Sequence, residues 1–354
     1  MQEEGFVVSS LVKNTRESAR PRPRLGWIRY AGPLTDDEIN RAVGKFRAVI
    51  LQPWESEQVQ RFRDVDPNIT VLAYKCLSSV RLYERGPVYS SGIAPHQAKQ
   101  LDSSVAVPEW NGYPGHVQQK VWDAEYQRTW VETVTKEMKA SGFDGVMADN
   151  DVFDDYYGHG LDMEQVRAGL DTMISRAGAS LRKHGLVLIP NIAESRMEPG
   201  RWARHARFGG GYEECWLGWG SADDGWLSVD DCLAQIAEMD HDGLIIARVP
   251  GTGAADDPYL EFALAAAWVF LPHRDIAVTA TAHDGYSEMP LLAAADCDLG
   301  EPVSDVSSWH AAGVFSRRFE CGLAVVNLGS QSAIFGYQGE LVTLPAHSGR
   351  IFHT

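Results

Sequence analysis

Long apolar runs are missing from this chain: no stretch reaches the roughly 18 consecutive apolar residues of a membrane-spanning helix. Residues 1–10 lack the basic start and apolar centre of a secretory leader, so the sequence as written is expected to be cytoplasmic and to have no membrane partner. Cysteine is sparse and scattered. Cys76, Cys215, Cys232, Cys297 and Cys321 include no CxxC pair, which removes the usual signs of a disulfide framework or a zinc site and leaves free buried thiols as the expectation. The histidines, among them His96, His116, His159, His205, His241, His273 and His283, show no metal-ligand spacing; no metal and no cofactor is expected. Positive charge is short as well. With 32 basic against 48 acidic residues the net charge is −16, which repels a phosphate backbone. The single basic stretch, Arg16–Arg24 (RESARPRPR), is proline-rich and without apolar residues, and reads as a solvated arm, so nucleic acid is not an expected partner. Neither GxGxxG nor GxxxxGK[ST] occurs, which removes the usual support for a nucleotide-binding open sheet.

What is present is the composition of an ordinary globular enzyme, 44% apolar and 23% charged, in a chain of 354 residues. Short β-like runs alternate with longer amphipathic segments, the pattern of a parallel sheet with crossover helices. The β-like runs are Leu25–Tyr30, Ala48–Gln52, Ile69–Tyr74, Val105–Val107, Gly145–Ala148, Leu186–Pro190, Gly211–Glu214, Leu244–Val249 and Ile276–Thr281. One of these is surplus to an eight-stranded closure. Helices are expected over Thr35–Phe46, opened by a Thr-Asp-Asp-Glu capping sequence, Asp123–Ser141, Met163–His184 and Val229–Met239. After Pro302 the texture changes to short segments between glycines and polar turns: Ala311–Phe319, Gly322–Asn327, Ser332–Tyr337, Glu340–Leu344 and Gly349–His353. The expected fold is therefore α/β, a (β/α)8 TIM barrel over residues 25–302, preceded by an arm over 1–24 and followed by a small antiparallel β domain over 303–354.

Barrels carry their chemistry at the C-terminal ends of their strands. The sharpest such end is GFDGVMADNDVFDD (Gly142–Asp155), where an apolar strand runs into Asp149, Asn150 and Asp151. Other runs deliver Trp54, Tyr74, Asn191, Arg248, and the pair Glu213 and Glu214 followed by Trp216; Trp110 lies in a loop. Two carboxyl groups flanking a scissile bond, with indole faces for sugar C–H surfaces and amide or guanidinium partners for hydroxyls, are the parts of glycoside hydrolysis. Asp149 and Glu214 are the candidate catalytic pair. Strand alternation sends only one of Glu213 and Glu214 inward; Glu214 is preferred and Glu213 stays a candidate. Trp54, Tyr74, Trp110, Asn150, Asp151, Asn191, Trp216 and Arg248 are candidate substrate-binding residues, for a carbohydrate.

The chain resembles a family of glycoside-hydrolase-like barrels related to the endo-α-1,4-polygalactosaminidases. The resemblance rests on PNITVLAY (Pro67–Tyr74), GFDGVMADN (Gly142–Asn150), Pro190-Asn191, the acidic strand end Tyr212–Cys215, and the tail Arg318–Asn327 with PAHSGRI (Pro345–Ile351). It implies that Asp149 is the catalytic acid of the fourth strand, that a glutamate of Tyr212–Cys215 is its partner on the sixth, and that the tail is a small β domain. Many such relatives are secreted, and this sequence departs from them at its start. Two other readings stand beside this one. Asp149-Asn150-Asp151-Val152 also spells the DxDx(T/V) pattern of magnesium-dependent aspartate phosphatases, and a carbohydrate-binding barrel without catalysis would keep the same aromatic residues.

Overall fold

The computed structural model describes residues 21–354 except 31, 103–107, 221–224, 253, 255, 283–285, 287 and 310–312. The expected strand Val105–Val107 and the arm up to residue 20 lie outside the described residues. Eight parallel strands form the barrel: β1 (Arg24–Ile28), β2 (Phe46–Leu51), β3 (Thr70–Cys76), β4 (Gly145–Asp149), β5 (Val187–Pro190), β6 (Gly210–Glu213), β7 (Leu244–Pro250) and β8 (Asp275–Thr281). Each pairs in parallel with its sequence neighbour, and β8 returns to β1 through Arg24↔Ala277 and Leu25↔Val278. Between β5 and β6 the ladder thins to the bridges Leu188↔Gly209 and Asn191↔Tyr212. Ile276–Thr281 is thus the closing strand.

Alternation along these strands separates two cores. Ile28, Ala48, Ile50, Leu72, Tyr74, Met147, Ile189, Tyr212, Ile246 and Ala277 pack together inside the barrel. Their odd-and-even partners, including Trp27, Val49, Leu51, Val71, Ala73, Val146, Ala148, Leu188, Ile245 and Val278, pack outward against the helices. Where the strands crowd, glycine is required: at Gly210 φ is +142° and an added Cβ would lie 1.9 Å from the Leu244 carbonyl oxygen.

The helices are α1 (Asp36–Arg41), α2 (Ser56–Val65), α3 (Ala124–Ser141), α4 (Met163–Arg182), α5 (Arg201–Ala206), α6 (Val229–Met239) and α7 (Pro258–Phe270). The capping box that opens α1 is formed, with the Glu38 N–H donating to Thr35 Oγ1 at 3.2 Å and the Thr35 N–H to Glu38 Oε2 at 2.8 Å. The helix stops at Arg41 rather than running to Phe46, because Gly44 takes φ +67° and Phe46 opens β2. Among the five cysteines, Cys76, Cys215 and Cys232 are buried as expected, whereas Cys297 is half-buried and Cys321 exposed.

Beyond the barrel come β9 (Ser307–Trp309), β10 (Val314–Phe319), β11 (Gly322–Asn327), β12 (Ala333–Tyr337), β13 (Glu340–Leu344) and β14 (Ser348–His353). They form an antiparallel sheet in the order β9-β10-β11-β14, with β12 and β13 as a separate hairpin. Helix α7 is buried along nearly its whole length. A helix apolar on all sides needs cover on all sides. The barrel supplies one cover and the antiparallel sheet the other, through Trp268 on Phe319 (5.2 Å between ring centroids), Phe270 on Phe315 (5.3 Å) and the Ile351 N–H donating to Glu261 at 3.1 Å.

Candidate active site

Inward-facing parity decides which strand-end groups meet. Asp149 continues the inward row of Met147, Asn191 that of Ile189, and Glu214 that of Tyr212. The Asn191 Nδ2 group donates to Asp149 Oδ1 at 2.8 Å and to Glu214 Oε2 at 2.7 Å. Carboxylate oxygens only accept, so this amide must present its NH2 to the pair. Asp149 accepts three more hydrogen bonds: from the Tyr74 hydroxyl (2.6 Å), Asn150 Nδ2 (2.8 Å) and the Asn150 backbone N–H (2.9 Å). Asn150 reaches both Asp149 oxygens because its backbone turns into the left-handed region at φ +66°, a conformation asparagine tolerates. Glu214 Oε1 accepts from the Tyr286 hydroxyl.

Burial, and after it the negative charge of Glu214, push Asp149 up to about 6 against the hydrogen bonds from Asn191, Tyr74 and Asn150. Two carboxylates this close titrate as one system, so the shift belongs to the pair. Burial raises the phenols of Tyr30, Tyr74, Tyr212 and Tyr286, helped by both acids at Tyr30 and Tyr212, by Asp149 at Tyr74 and by Glu214 at Tyr286, so all four stay protonated and able to donate.

Above the acids lies a cavity of about 320 Å³, lined by residues from the ends of several strands. That is the size of a small-molecule site, in the lower part of the usual range of about 300–1,000 Å³. The long connection after β3 supplies Arg81, Trp110, Tyr113 and His116; the loop after β4 supplies Tyr156 and Tyr157; that after β6 supplies Trp219. Trp110 stacks on Tyr157 at 3.8 Å and 7°, and the Tyr157 hydroxyl donates to Asn150 Oδ1 at 2.6 Å.

Of the residues expected from the sequence, the structure brings Asp149, Glu214, Tyr74, Trp110 and Asn150 to this cavity, with Asn191 buried between the two acids. The others lie elsewhere. Glu213 has the outward parity and accepts from the backbone N–H groups of Glu194 (3.0 Å), Ser195 (2.9 Å) and Cys215 (3.1 Å), fastening the loop after β5. Asp151 is buried away from the cavity, paired with Arg201 (3.2 Å) and His205 (2.5 Å), so Asp149 and Asp151 do not face one site as a shared magnesium would require. Trp216 is wholly inside the outer core. Arg248 spends its donors on Thr281 and on the backbone oxygens of Gly220, Thr281 and Glu214, ordering the barrel mouth. Trp54 stands outside the acid cavity, 53% exposed. Sequence reasoning left Gln52 and Tyr212, both at strand ends, out of the binding set, and passed over Tyr30, which inward parity would have marked, and Arg81, Tyr113, His116, Tyr156, Tyr157 and Tyr286, which long loops deliver.

A family model described as "Hypothetical glycosyl hydrolase family 15" matches residues 63–323. The chain belongs to this family. Membership makes it a glycosidase and bears out the glycoside-hydrolase-like resemblance of the sequence. Among solved structures it is similar to the noncanonic maltogenic α-amylase AmyB of Thermotoga neapolitana, at 10% identity over 93% of this chain and 96% of that one, with a TM-score of 0.54. It is also similar to Ega3 of Aspergillus fumigatus in complex with galactosamine (10% identity, 77% and 94% covered, TM-score 0.48) and to the glycoside hydrolase domain of PelA of Pseudomonas aeruginosa (13%, 74% and 95%, 0.46). At 10% identity the likeness to AmyB speaks for the barrel alone. No curated protein matches. Among the described residues no helix is long and apolar enough to cross a membrane.

Proposed function

We propose that this glycosidase hydrolyses an O-glycosidic bond of an oligo- or polysaccharide with Asp149 as nucleophile and Glu214 as general acid and base, retaining the configuration at the anomeric carbon. One observation carries this reading: a single amide nitrogen bonds both carboxylates, which holds their facing oxygens no more than about 5.5 Å apart, the close pairing that retaining enzymes use, at about 5–5.5 Å between carboxyl groups. An inverting pair stands wider apart, to admit a water between the general base and the anomeric carbon.

The pattern of hydrogen bonds supports this division of roles. Asp149 accepts four, two on each oxygen, and these bonds work toward the ionised form a nucleophile must take, against the burial and the Glu214 charge that push it up. Glu214 accepts one on each oxygen, and its Tyr286 partner can turn from donor to acceptor, a contact that a carboxyl giving up and regaining a proton keeps in both states. In the first step an Asp149 oxygen bonds to the anomeric carbon as the glycosidic bond breaks, and the Glu214 proton passes to the leaving oxygen. In the second, water attacks the same carbon, its proton goes to Glu214, and the Asp149 ester bond breaks. Both groups end as they began.

The test is a panel of aryl glycosides and oligosaccharides with the product anomer followed by proton NMR. Initial release of the substrate's own anomer, with Asp149→Asn and Glu214→Gln each slower by at least about 1,000-fold on unactivated substrate, is expected. Release of the opposite anomer, or two variants within a few-fold of the wild type, contradicts it.

A further inference from the structure

A second cavity, of about 790 Å³, opens beside the acid cavity and shares Gln52, Arg81, Tyr113 and His116 with it. Trp54 and Tyr83 line it, 53% and 59% exposed. Exposed aromatics scattered singly mean little, but these two border one depression continuous with the reaction site.

Two polar atoms on residues common to both cavities, Gln52 Oε1 and His116 Nδ1, are buried without a hydrogen-bond partner among the described residues. Arg81 Nε donates to His116 Nε2 at 3.2 Å, so that nitrogen is the acceptor and the ring proton sits on Nδ1. Burial and the Arg81 charge lower the imidazole to about 4, which keeps it neutral in that tautomer. The two residues at the boundary therefore carry one acceptor and one donor with no partner among the described residues. A sugar hydroxyl, which both donates and accepts, satisfies such a pair; an apolar group satisfies neither.

Across the barrel mouth Tyr156 stacks with Trp219 at 5.6 Å, the two rings 37% and 42% exposed. Trp54 follows β2 and Trp219 follows β6, four strands apart around the ring. Aromatic platforms thus stand on opposite sides of the acid pair.

Building on the glycosidase reading above, we infer that the Trp54–Tyr83 cavity is a subsite for a sugar residue adjoining the one at Asp149 and Glu214, so that the substrate is a linear saccharide chain laid across the barrel mouth. Trp54 supplies the stacking face; Gln52 and His116 hold hydroxyls at the boundary.

The experiment is calorimetric titration of Asp149→Asn with hexamers and monomers of α-1,4-linked galactosamine, α-1,4-linked glucose and β-1,4-linked N-acetylglucosamine, repeated with Trp54→Ala or Trp54→Phe added. At least one hexamer should bind at least about tenfold more tightly than its monomer; Trp54→Ala should erase that ratio while leaving the monomer's Kd unchanged, and Trp54→Phe should keep most of it. A hexamer advantage that survives Trp54→Ala, or hexamer and monomer binding alike, overturns the subsite and leaves the acid pair untouched. No binding of any saccharide overturns the carbohydrate reading and the subsite together.

Discussion

Replacing Glu214 by glutamine removes one of two charges that the fold forces together, and its effect on the pH dependence of the reaction follows from the geometry. Charges about 5 Å apart repel by about 3 kcal/mol at an effective dielectric constant of about 20, which is about two pH units. Burial adds to this, and Asp149 lies at about 6. The pair therefore takes up its first proton near pH 6 and resists the second, because the carboxyl that is then neutral is so only by virtue of its neighbour's charge. Hydrolysis of an unactivated glycoside needs one carboxyl ionised and the other protonated, so kcat/KM should follow a bell whose alkaline limb lies near pH 6. With Glu214→Gln the repulsion is gone, and a dinitrophenyl glycoside, whose leaving group needs no proton, still reacts at Asp149. Its rate of first-turnover release should show one acid limb below the wild-type value of about 6 and then stay flat to about pH 9. Stopped-flow measurement between pH 4 and 9 checks this. A rate that still declines above pH 6 in the variant would refute the shared-proton argument.

Three further outcomes follow from named contacts. Asn191→Ala removes the amide that bridges the acids; kcat/KM should fall by about 100-fold, and the alkaline limb should move up by about one unit because a donor to the ionised pair is lost, as read from a pH–rate profile. Glu213→Gln leaves a backbone N–H facing an amide NH2; it should lower unfolding stability by about 1–3 kcal/mol in a urea titration while leaving KM within about twofold. His205 is held at about 9, above the ordinary 6.5, because the Asp151 and Asp171 carboxylates outweigh the burial that works against its charge. The stability from this raised group is fully present below pH 6.5 and is lost as pH rises through 9, a decline of about 3 kcal/mol that urea titrations at several pH values should find in the wild type and not in His205→Gln.

The barrel was readable because its strands are short, nearly continuous apolar runs: Gly145–Ala148 leads straight into Asp149, and Leu244–Val249 carries Arg248 close to its end. Strand parity separates Glu214 from Glu213. Proximity to a strand end, however, does not say where a side chain goes. Asp151 and Trp216 sit two residues beyond Asp149 and Glu214, yet the chain has left the strand by then, and each finds a partner or a core on the outer side. Arg248 has the inward parity but is consumed by neighbouring carbonyls, a fate that depends on the loop after β6 and on β8. The aromatic wall was hidden for a different reason. Tyr113, Tyr156 and Tyr157 belong to connections with no periodicity, and only their packing, such as Trp110 on Tyr157, brings them to the acids. Helix α1 was drawn too long because the apolar spacing runs on past Arg41, while Gly44 had already turned the chain.

The most direct measurement is mass spectrometry of the protein after treatment with the 2-deoxy-2-fluoro glycosyl fluoride of the sugar it hydrolyses fastest, followed by peptide mapping. A glycosyl adduct on Asp149, which discharges slowly on washing and restores activity, is the predicted result. An adduct on Glu214, or stoichiometric turnover with no adduct on either carboxylate, would contradict the assignment of Asp149 as the nucleophile of a retaining pair.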